Sequence, residues 1–338
     1  MPLSLFDFLC RAAASPALAV TVLLLLAVIL VNGWTDAPNA IASAVVSGAL
    51  PFRQAAWLAA ACNLLGTLLA AAAGGAVSET IFSIADFGRS TSTALAALCA
   101  AMAAIVCWAV LAWRFGIPTS ESHALVAGLS GAAAALPGGL SNLGTGPWLR
   151  VMVGLVLSVV LGAALGWTIS RRMEKSRFSP SQLARGQVCA AGAMAFLHGA
   201  QDGQKFMGVF LLGAALAQGR QDWETFPRPL WLALLCGCVM ALGTALGGKR
   251  IVASLGRAAP LTPKSGLAAD LGGGLCLLLC TLLGLPVSTT HVKTAAILGA
   301  GRGGDPRPVL AMVLAWLLTF PGCTLLGFAA AKLFLILL

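Results

Sequence analysis

The chain has 338 residues, of which 59% are hydrophobic and 9% are charged. Soluble domains carry roughly 25% charged residues, so this composition excludes an ordinary soluble protein and indicates a protein embedded in the lipid bilayer. In a soluble protein the net charge of +10 would suggest a nucleic-acid partner. Here we read it as basic charge on cytoplasmic loops, and we expect no nucleic-acid partner.

Apolar segments of about 20 residues recur along the whole chain, and a helix needs this length to cross a bilayer of roughly 30 Å. The first and the sixth segments contain polar residues and glycines, so we expect both to be interrupted helices. The sequence lacks the short alternating strands of a membrane β-barrel. It therefore predicts an all-α polytopic membrane protein, with candidate spans at roughly 17–50, 55–77, 92–113, 117–137, 148–169, 186–218, 229–248, 265–285, 287–301 and 308–337.

The distribution of basic residues predicts the orientation of these spans. Most lysines and arginines fall in alternate loops, and placing those loops in the cytoplasm puts both chain termini outside. The strongest basic segment is RRMEKSRFSPSQLAR at 171–185. We therefore predict a first half at 1–170, a basic cytoplasmic linker at 171–185 and a second half at 186–338.

The two halves carry the same pair of motifs in the same order. VNGWTDAPNAIASAV at 31–45 aligns with LHGAQDGQKFMGVFL at 197–211, and GIPTSESHALVAGLSGA at 116–132 aligns with GLPVSTTHVKTAAILGA at 284–300. Each half has an odd number of spans, so the second copy must enter the membrane in the opposite orientation. This pattern predicts an inverted-topology repeat, an architecture found in many secondary transporters.

The first motif of each half contains an aspartate within an apolar span. Intramembrane carboxylates are costly and usually mark an ion or substrate path. Glycines in both copies, and Pro38 in the first, predict helix breaks that free backbone carbonyls. Together with amide oxygens, these groups would bind a small cation, although the carboxylate could instead carry a proton or only cap the break. The candidate cation-binding residues are Asp36, Asn39, Gln201 and Asp202.

The second motif of each half places hydroxyl residues after a proline and before a short apolar stretch. This pattern is typical of re-entrant or half-membrane helices, whose N-termini attract anions. Two such N-termini facing each other would suit a tetrahedral oxyanion, whereas each motif alone is also compatible with a simple helix cap. The candidate anion-binding residues are Thr119, Ser120, Ser122, Ser288, Thr289 and Thr290, with Lys205 as a source of positive charge or as a partner for an aspartate.

Several other polar residues lie near these motifs. His123 and His291 follow the hydroxyls at matched positions, where they would relay protons or make structural hydrogen bonds. We assign His198 to packing or capping, and we treat Glu121 and Lys293 as peripheral because neither has a charged counterpart in the other half. The ten cysteines lie mostly within apolar runs, so we predict no metal site.

These motifs resemble those of the inorganic phosphate transporter (PiT) family, and the chain reads as a bacterial member. GWTDAPNAIAS and HGAQDGQKFMG resemble its two signatures, while IPTSESHALVAG and LPVSTTHVKTAAILGAG resemble its two hairpins. The resemblance implies symport of phosphate with H⁺ or Na⁺ in the bacterial inner membrane, in some members as a metal–phosphate complex. It implies no other cofactor and no enzyme activity. A homodimer is also plausible.

Three residues depart from the family pattern, namely Thr35, Gln201 and Glu121. These departures leave the coupling ion open, and to a lesser degree the choice between phosphate and sulfate. The alternatives are therefore a sulfate symporter of the same family, an anion channel, or an anion sensor that does not transport.

Overall fold

The structure is a computed structural model, and it describes residues 4–88, 90–115, 117, 119–219, 221, 229–301 and 305–336. These residues fold almost entirely into helices and contain no β-strand beyond an isolated bridge between Ala85 and Leu143. The α-helices in chain order are α1 Leu5–Ala14, α2 Pro16–Thr35, α3 Pro38–Val46, α4 Phe52–Ala73, α5 Ala76–Phe82, α6 Thr91–Arg114, α7 Glu121–Ala134, α8 Thr145–Glu174, α9 Pro180–Leu216, α10 Leu230–Leu246, α11 Lys249–Ala258, α12 Pro263–Leu282, α13 Thr289–Ala300 and α14 Pro306–Ile336.

The described helices include six segments that are long and apolar enough to cross a membrane. They are α2 with α3, and α4, α6, α8, α12 and α14. The bent pair α10 and α11, which turns by 68°, would form a seventh. The prediction of an all-helical polytopic membrane protein is confirmed.

The two aspartate motifs fold differently. The helix α2 ends at Thr35, and α3 begins at Pro38, so the first motif contains a break. By contrast, α9 runs without interruption for 37 residues through the second motif. The predicted break within 186–218 is therefore wrong. Gln204 stands where the first motif has Pro38, so the second motif keeps a backbone N–H at a position where proline has none.

The glycines of α9 serve helix packing instead. A side chain at Gly199 would collide with the backbone of Asn63 on α4, and one at Gly203 would collide with the side chain of Thr67. A glycine inside a helix costs only about 1 kcal/mol relative to alanine, which the close packing of α9 on α4 offsets.

The short helices α7 and α13 lie in the interior. The helix α7 packs against α6 and α14, while α13 packs against α8 and α12. Gly131 on α7 lies against the backbone of Thr324 on α14, and its sequence counterpart Gly299 on α13 lies against the backbone of Ala163 on α8. Each short helix of one half is therefore covered by a long helix of the other half.

Candidate functional site

The two motif aspartates meet in the interior of the molecule. Asp36 lies at the break between α2 and α3, and Asp202 lies in the middle of α9. Both side chains are buried, as is that of His198. Potential ligand atoms of these three residues all lie within 4.8 Å of one another. The break between α2 and α3 and the continuous helix α9 thus bring together two carboxylates that are far apart in sequence.

Asp36 connects the break to the N-terminus of α13. The hydroxyl of Thr290 donates a hydrogen bond to Asp36 Oδ1, and the hydroxyl of Thr289 donates to Oδ2 at 3.3 Å. The side-chain amide of Asn39 donates to Asp36 Oδ1 at 2.9 Å and to the hydroxyl of Thr290 at 3.0 Å. The acidic motif of the first half is therefore in direct contact with the hydroxyl motif of the second half.

Asp202 makes the corresponding connection to α7 through a lysine. Lys205 Nζ donates to Asp202 Oδ1, to the hydroxyl of Ser122 and to the carbonyl of Val287, each at 2.6 Å. An ammonium group has three protons, so these contacts use all of them. Lys205 combines the two roles left open by the sequence, because it pairs with an aspartate and also reaches a hairpin hydroxyl.

His198 also belongs to this cluster. The sequence analysis assigned it to packing or capping and did not predict this position. Its Nε2 lies 3.4 Å from Asp202 Oδ2, and its Nδ1 lies 3.1 Å from Asn63 Oδ1. The equivalent residue of the first half, Asn32, also approaches Asp202, donating to Oδ2 at 3.0 Å. The spacing of four residues on one helix, which places His198 and Asp202 on the same face, was the signal available in the sequence.

The remaining predicted hydroxyls have local roles. Ser120 and Ser288 are N-caps, and each accepts a hydrogen bond at 3.2 Å from the backbone N–H of the histidine three residues later. Thr119 is not brought to the acidic cluster, because its hydroxyl accepts from Trp108 Nε1 and shares a hydrogen bond with Thr319, both at 3.1 Å.

Gln201 contacts the segment that precedes α13 and does not contact the carboxylates. Its amide donates to the carbonyl of Leu285 at 3.0 Å. Its Oε1 is buried and has no hydrogen-bond partner among the described residues, which is also true of Asn32 Oδ1 and Asn39 Oδ1. Three amide oxygens around the cluster are therefore available to a ligand.

The rings of His123 and His291 pack against each other at a tilt of 40°, with their centroids 4.6 Å apart. His123 also packs on Phe320 at 4.8 Å, and His291 packs on Trp316 at 3.9 Å. Within the described part of the chain, none of the four ring nitrogens has a hydrogen-bond partner. The two histidines join the N-terminal turns of α7 and α13.

Glu121 is buried at the start of α7, with only 3% of its surface exposed, so its assignment as peripheral is wrong. Its Oε1 lies 3.0 Å from the hydroxyl oxygen of Thr35, the last residue of α2. It also interacts electrostatically with Asp36 and Asp202. The comparison of the two halves of the sequence missed Glu121, because that comparison selects residues with a counterpart in the other half.

Lys293 is likewise buried rather than peripheral, and it forms a second polar cluster. It makes an ion pair with Asp270 on α12 and donates to the hydroxyl of Ser43 at 2.7 Å. Asp270 also accepts from Ser43 at 2.5 Å and from the side-chain amide of Gln187. The sequence analysis did not single out Asp270, although a charged residue within an apolar span was a usable signal.

The fold and the site together define a class. A multi-pass helical membrane protein with paired carboxylates, a buried lysine and hydroxyls at the N-termini of short interior helices has the features of a membrane transport protein.

Comparison with known proteins supplies the family. The model of the phosphate transporter family matches residues 32–184 and again residues 170–327. The chain is 33% identical over 316 residues to a probable low-affinity inorganic phosphate transporter of Mycobacterium leprae, covering 90% of this chain and 75% of that protein. It is 32% identical over 310 residues to a Bacillus subtilis protein of the same description, covering 88% and 91%. The chain belongs to the phosphate transporter family.

The fold is also similar to that of a solved structure. A protein described as the sodium-dependent phosphate transporter superposes with a TM-score of 0.84 at 22% sequence identity. The superposition covers 96% of this chain and 100% of that protein. The helical architecture is therefore shared over nearly the whole chain.

Proposed function

We propose that the chain imports inorganic phosphate together with a cation, H⁺ or Na⁺, by alternating access. The observation that carries this proposal is the direct contact between the acidic and the hydroxyl motifs. Asp36 accepts hydrogen bonds from Thr289 and Thr290, while Lys205 joins Asp202 to Ser122. A cation bound by the carboxylates and an anion bound by the hydroxyls would therefore share side chains.

The N-termini of α7 and α13 supply the anion site of this proposal. Free backbone N–H groups and the helix dipole favour an oxyanion there. The hydroxyls of Ser122, Thr289 and Thr290 and the ammonium of Lys205 add donors, and all four side chains are buried. A charge-assisted contact from Lys205 would be the strongest of these interactions.

The carboxylates supply the cation site. Asp36 and Asp202 offer anionic oxygens, and Asn39, Gln201 and Asn32 offer amide oxygens without a partner among the described residues. A cation on Asp36 would compete for the oxygens that now accept from Thr289 and Thr290. Those hydroxyls would then be free to donate to phosphate, which couples the two binding events.

The pairwise packing of helices between the halves supports the inverted repeat in this proposal. Gly33 on α2 lies against the backbone of Met240 on α10, and its counterpart Gly199 on α9 lies against the backbone of Asn63 on α4. Gly131 and Gly299 show the same exchange. The family model also matches the chain twice, in succession.

The short helices support re-entrant hairpins. The 14 residues of α7 and the 12 residues of α13 span about 21 and 18 Å at 1.5 Å per residue. Both lengths are less than the roughly 30 Å of a hydrocarbon core. We further propose that both termini lie outside the bacterial cytoplasmic membrane, and a homodimer stays a prediction.

Uptake of labelled phosphate into liposomes containing the purified protein tests the proposal. We expect accumulation driven by an inward H⁺ or Na⁺ gradient, with unlabelled phosphate competing more strongly than sulfate. Asp36→Asn and Asp202→Asn should each abolish accumulation, because each removes an anionic cation ligand. Asp86→Asn, which changes an exposed aspartate, should leave uptake unchanged.

Two outcomes would contradict the proposal. The first is that the protein accumulates no phosphate under any cation gradient. The second is that it accumulates sulfate in preference to phosphate, which would assign the chain a different cargo.

A further inference from the structure

We propose that Glu121 carries the coupling proton, being protonated while phosphate occupies the site and ionised while the site is empty. The proposal rests on the proposed function in its H⁺ form, and it places the coupling ion on Glu121 in place of the Asp36 and Asp202 carboxylates. Glu121 is the first residue of α7, directly after the N-cap Ser120 and directly before Ser122, which accepts from Lys205. It therefore lies within the group of side chains assigned to the anion.

The contact with Thr35 is compatible with both protonation states of Glu121. The hydroxyl oxygen of Thr35 lies 3.0 Å from Glu121 Oε1 and 2.8 Å from the carbonyl oxygen of Val31. A hydroxyl has one proton and can donate it to one of these oxygens. If Thr35 donates to Glu121, the contact suits an ionised carboxylate, which can only accept. If Thr35 donates to Val31, the short contact with Glu121 is satisfied when a protonated Glu121 donates to Thr35.

The buried cations near the site are already engaged. Lys205 uses its three protons on Asp202, Ser122 and Val287, and Lys293 is paired with Asp270. Among the described residues, no lysine or arginine forms an ion pair with Glu121. A buried carboxylate without a cation is costly and tends to take up a proton instead.

The charges around Glu121 favour proton uptake. Asp36 at the helix break and Asp202 on α9 both interact with it unfavourably when it is ionised, and Cys323 faces it from α14. On its own helix the nearest titratable group is His123. The charged residue of α6, Arg114, is exposed at the end of that helix. Among the groups that the structure describes around Glu121, the N-terminus of α7 and Thr35 are the ones that favour the ionised form.

Phosphate binding then determines when the proton is held. An ionised Glu121 beside Ser122 would repel a phosphate dianion, whereas a protonated Glu121 would donate a hydrogen bond to it. The proton therefore enters from the outside with phosphate and leaves to the inside after phosphate is released. One proton and one phosphate cross together in each cycle, and no other bond is made or broken.

The second half of the chain lacks such a pair. Gln201 stands at the position of Thr35 and donates to a backbone carbonyl. Thr289 stands at the position of Glu121 and donates to Asp36. The hydroxyl–carboxyl pair Thr35 and Glu121 is therefore an asymmetric feature of the repeat. The first half therefore has a buried carboxyl group, that of Glu121, with no counterpart in the second half.

Liposomes containing the full-length protein, with the membrane potential clamped to zero, provide the test. The first measurement is phosphate accumulation driven by an inward pH gradient, without Na⁺. If one proton moves with each phosphate dianion, a gradient of one pH unit supports about tenfold accumulation of the dianion. The second measurement is phosphate–phosphate exchange at equal pH on both sides, which requires no net proton movement.

The informative variant is Glu121→Gln, which keeps the shape of the protonated side chain and cannot lose a proton. We expect it to lose pH-driven accumulation while phosphate exchange persists and no longer declines at high pH. Glu79→Gln, which changes an exposed glutamate on α5, is the matched control and should behave as the unmodified protein. The control also reports how the ionisation of phosphate itself affects both measurements.

The proposal is overturned if Glu121→Gln accumulates phosphate under a pH gradient as Glu79→Gln does, or if only Na⁺ drives the unmodified protein. If Glu121→Gln also loses exchange, Glu121→Asp decides, since it keeps a proton-binding group. Loss of pH-driven accumulation in Glu121→Asp would then overturn the proposal as well. Failure of the proposed function looks different, because the unmodified protein would neither accumulate nor exchange phosphate.

Discussion

Asp36 and Asp202 occupy equivalent positions in the sequence repeat, but different groups contact their carboxylates. Asp202 is paired with the ammonium of Lys205, whereas the described hydrogen-bond donors to Asp36 are the neutral side chains of Asn39, Thr289 and Thr290. Neutral donors leave the charge of Asp36 uncompensated in a buried position. Asp36 is therefore the carboxylate with more to gain from a bound cation.

The ion pair between Lys293 and Asp270 does not involve Asp36 or Asp202. It connects α13 to α12. Removing one partner of a buried pair usually costs about 3–5 kcal/mol because it leaves the other charge unpaired. We expect Lys293→Met to lower the free energy of unfolding by this amount. Combining it with Asp270→Leu should recover most of the loss, because an apolar pair of similar size often replaces a buried ion pair without cost.

Thermal unfolding of the purified variants in detergent measures this effect. Lys332→Met changes an exposed lysine of α14 and is the matched control. A Lys293→Met protein as stable as the control would show that the ion pair contributes nothing. A double variant no more stable than Lys293→Met would show that packing, not charge, determines the loss.

At the level of helices, the two aspartate motifs show what the sequence can predict. Proline removes a hydrogen-bond donor and clashes with the preceding turn, so the break near Pro38 follows from local chemistry. Glycine only weakens a helix, and tertiary packing decides whether the helix continues. The continuity of α9 depends on its contact with α4, which no local pattern contains. The same limit applies to Thr119, because its orientation depends on Trp108 and Thr319.

The covering of α7 by α14 gives a prediction at this scale. A Cβ atom at Gly131 would fall on the backbone of Thr324, so Gly131→Ala must push the two helices apart. Overpacking of this kind typically costs about 1–3 kcal/mol. Gly192 on α9 is the matched control, because its nearest neighbour would lie 3.6 Å from an added Cβ. Gly192→Ala should be neutral or stabilising by about 0.5–1 kcal/mol, since alanine favours helices.

Comparing the unfolding midpoints of the two variants in detergent tests the close approach of α7 and α14. Equal midpoints would mean that the helices can separate without cost. The result would then argue against a rigid contact between the short helix and its covering helix.

At the scale of the whole molecule, comparing the two halves of the sequence pointed to some residues of the candidate site and missed others. Asp36, Asp202, Ser122, Thr289 and Thr290 were found because each motif occurs twice, and the structure brings these residues together. Glu121, Lys293 and Asp270 were missed because the comparison of halves discards residues without a charged counterpart. Residues without a counterpart are thus informative in a chain whose sequence motifs occur twice.

Three of the loops assigned to the cytoplasm are joined by contacts. Arg250 donates to the carbonyl of Arg114 at 3.4 Å, and Lys264 donates to the carbonyl of Ser176 at 2.8 Å. The predicted loop at 249–264 therefore contacts two other predicted cytoplasmic loops that are distant in sequence, the one at Arg114 and the one at 171–185. This grouping agrees with the excess of basic residues expected on the cytoplasmic face.

Labelling of single cysteines in intact cells tests this orientation. All ten native cysteines are unpaired and must be replaced first. In that background, Ser181→Cys, in the exposed first turn of α9, should react with a membrane-impermeant maleimide only after the cytoplasmic membrane is permeabilised. Ser4→Cys, exposed before α1, should react without permeabilisation, because the N-terminus is predicted to lie outside. The reverse pattern would mean that the chain lies in the membrane in the opposite orientation. The pH gradient proposed to drive transport through Glu121 would then have to be applied from the opposite face.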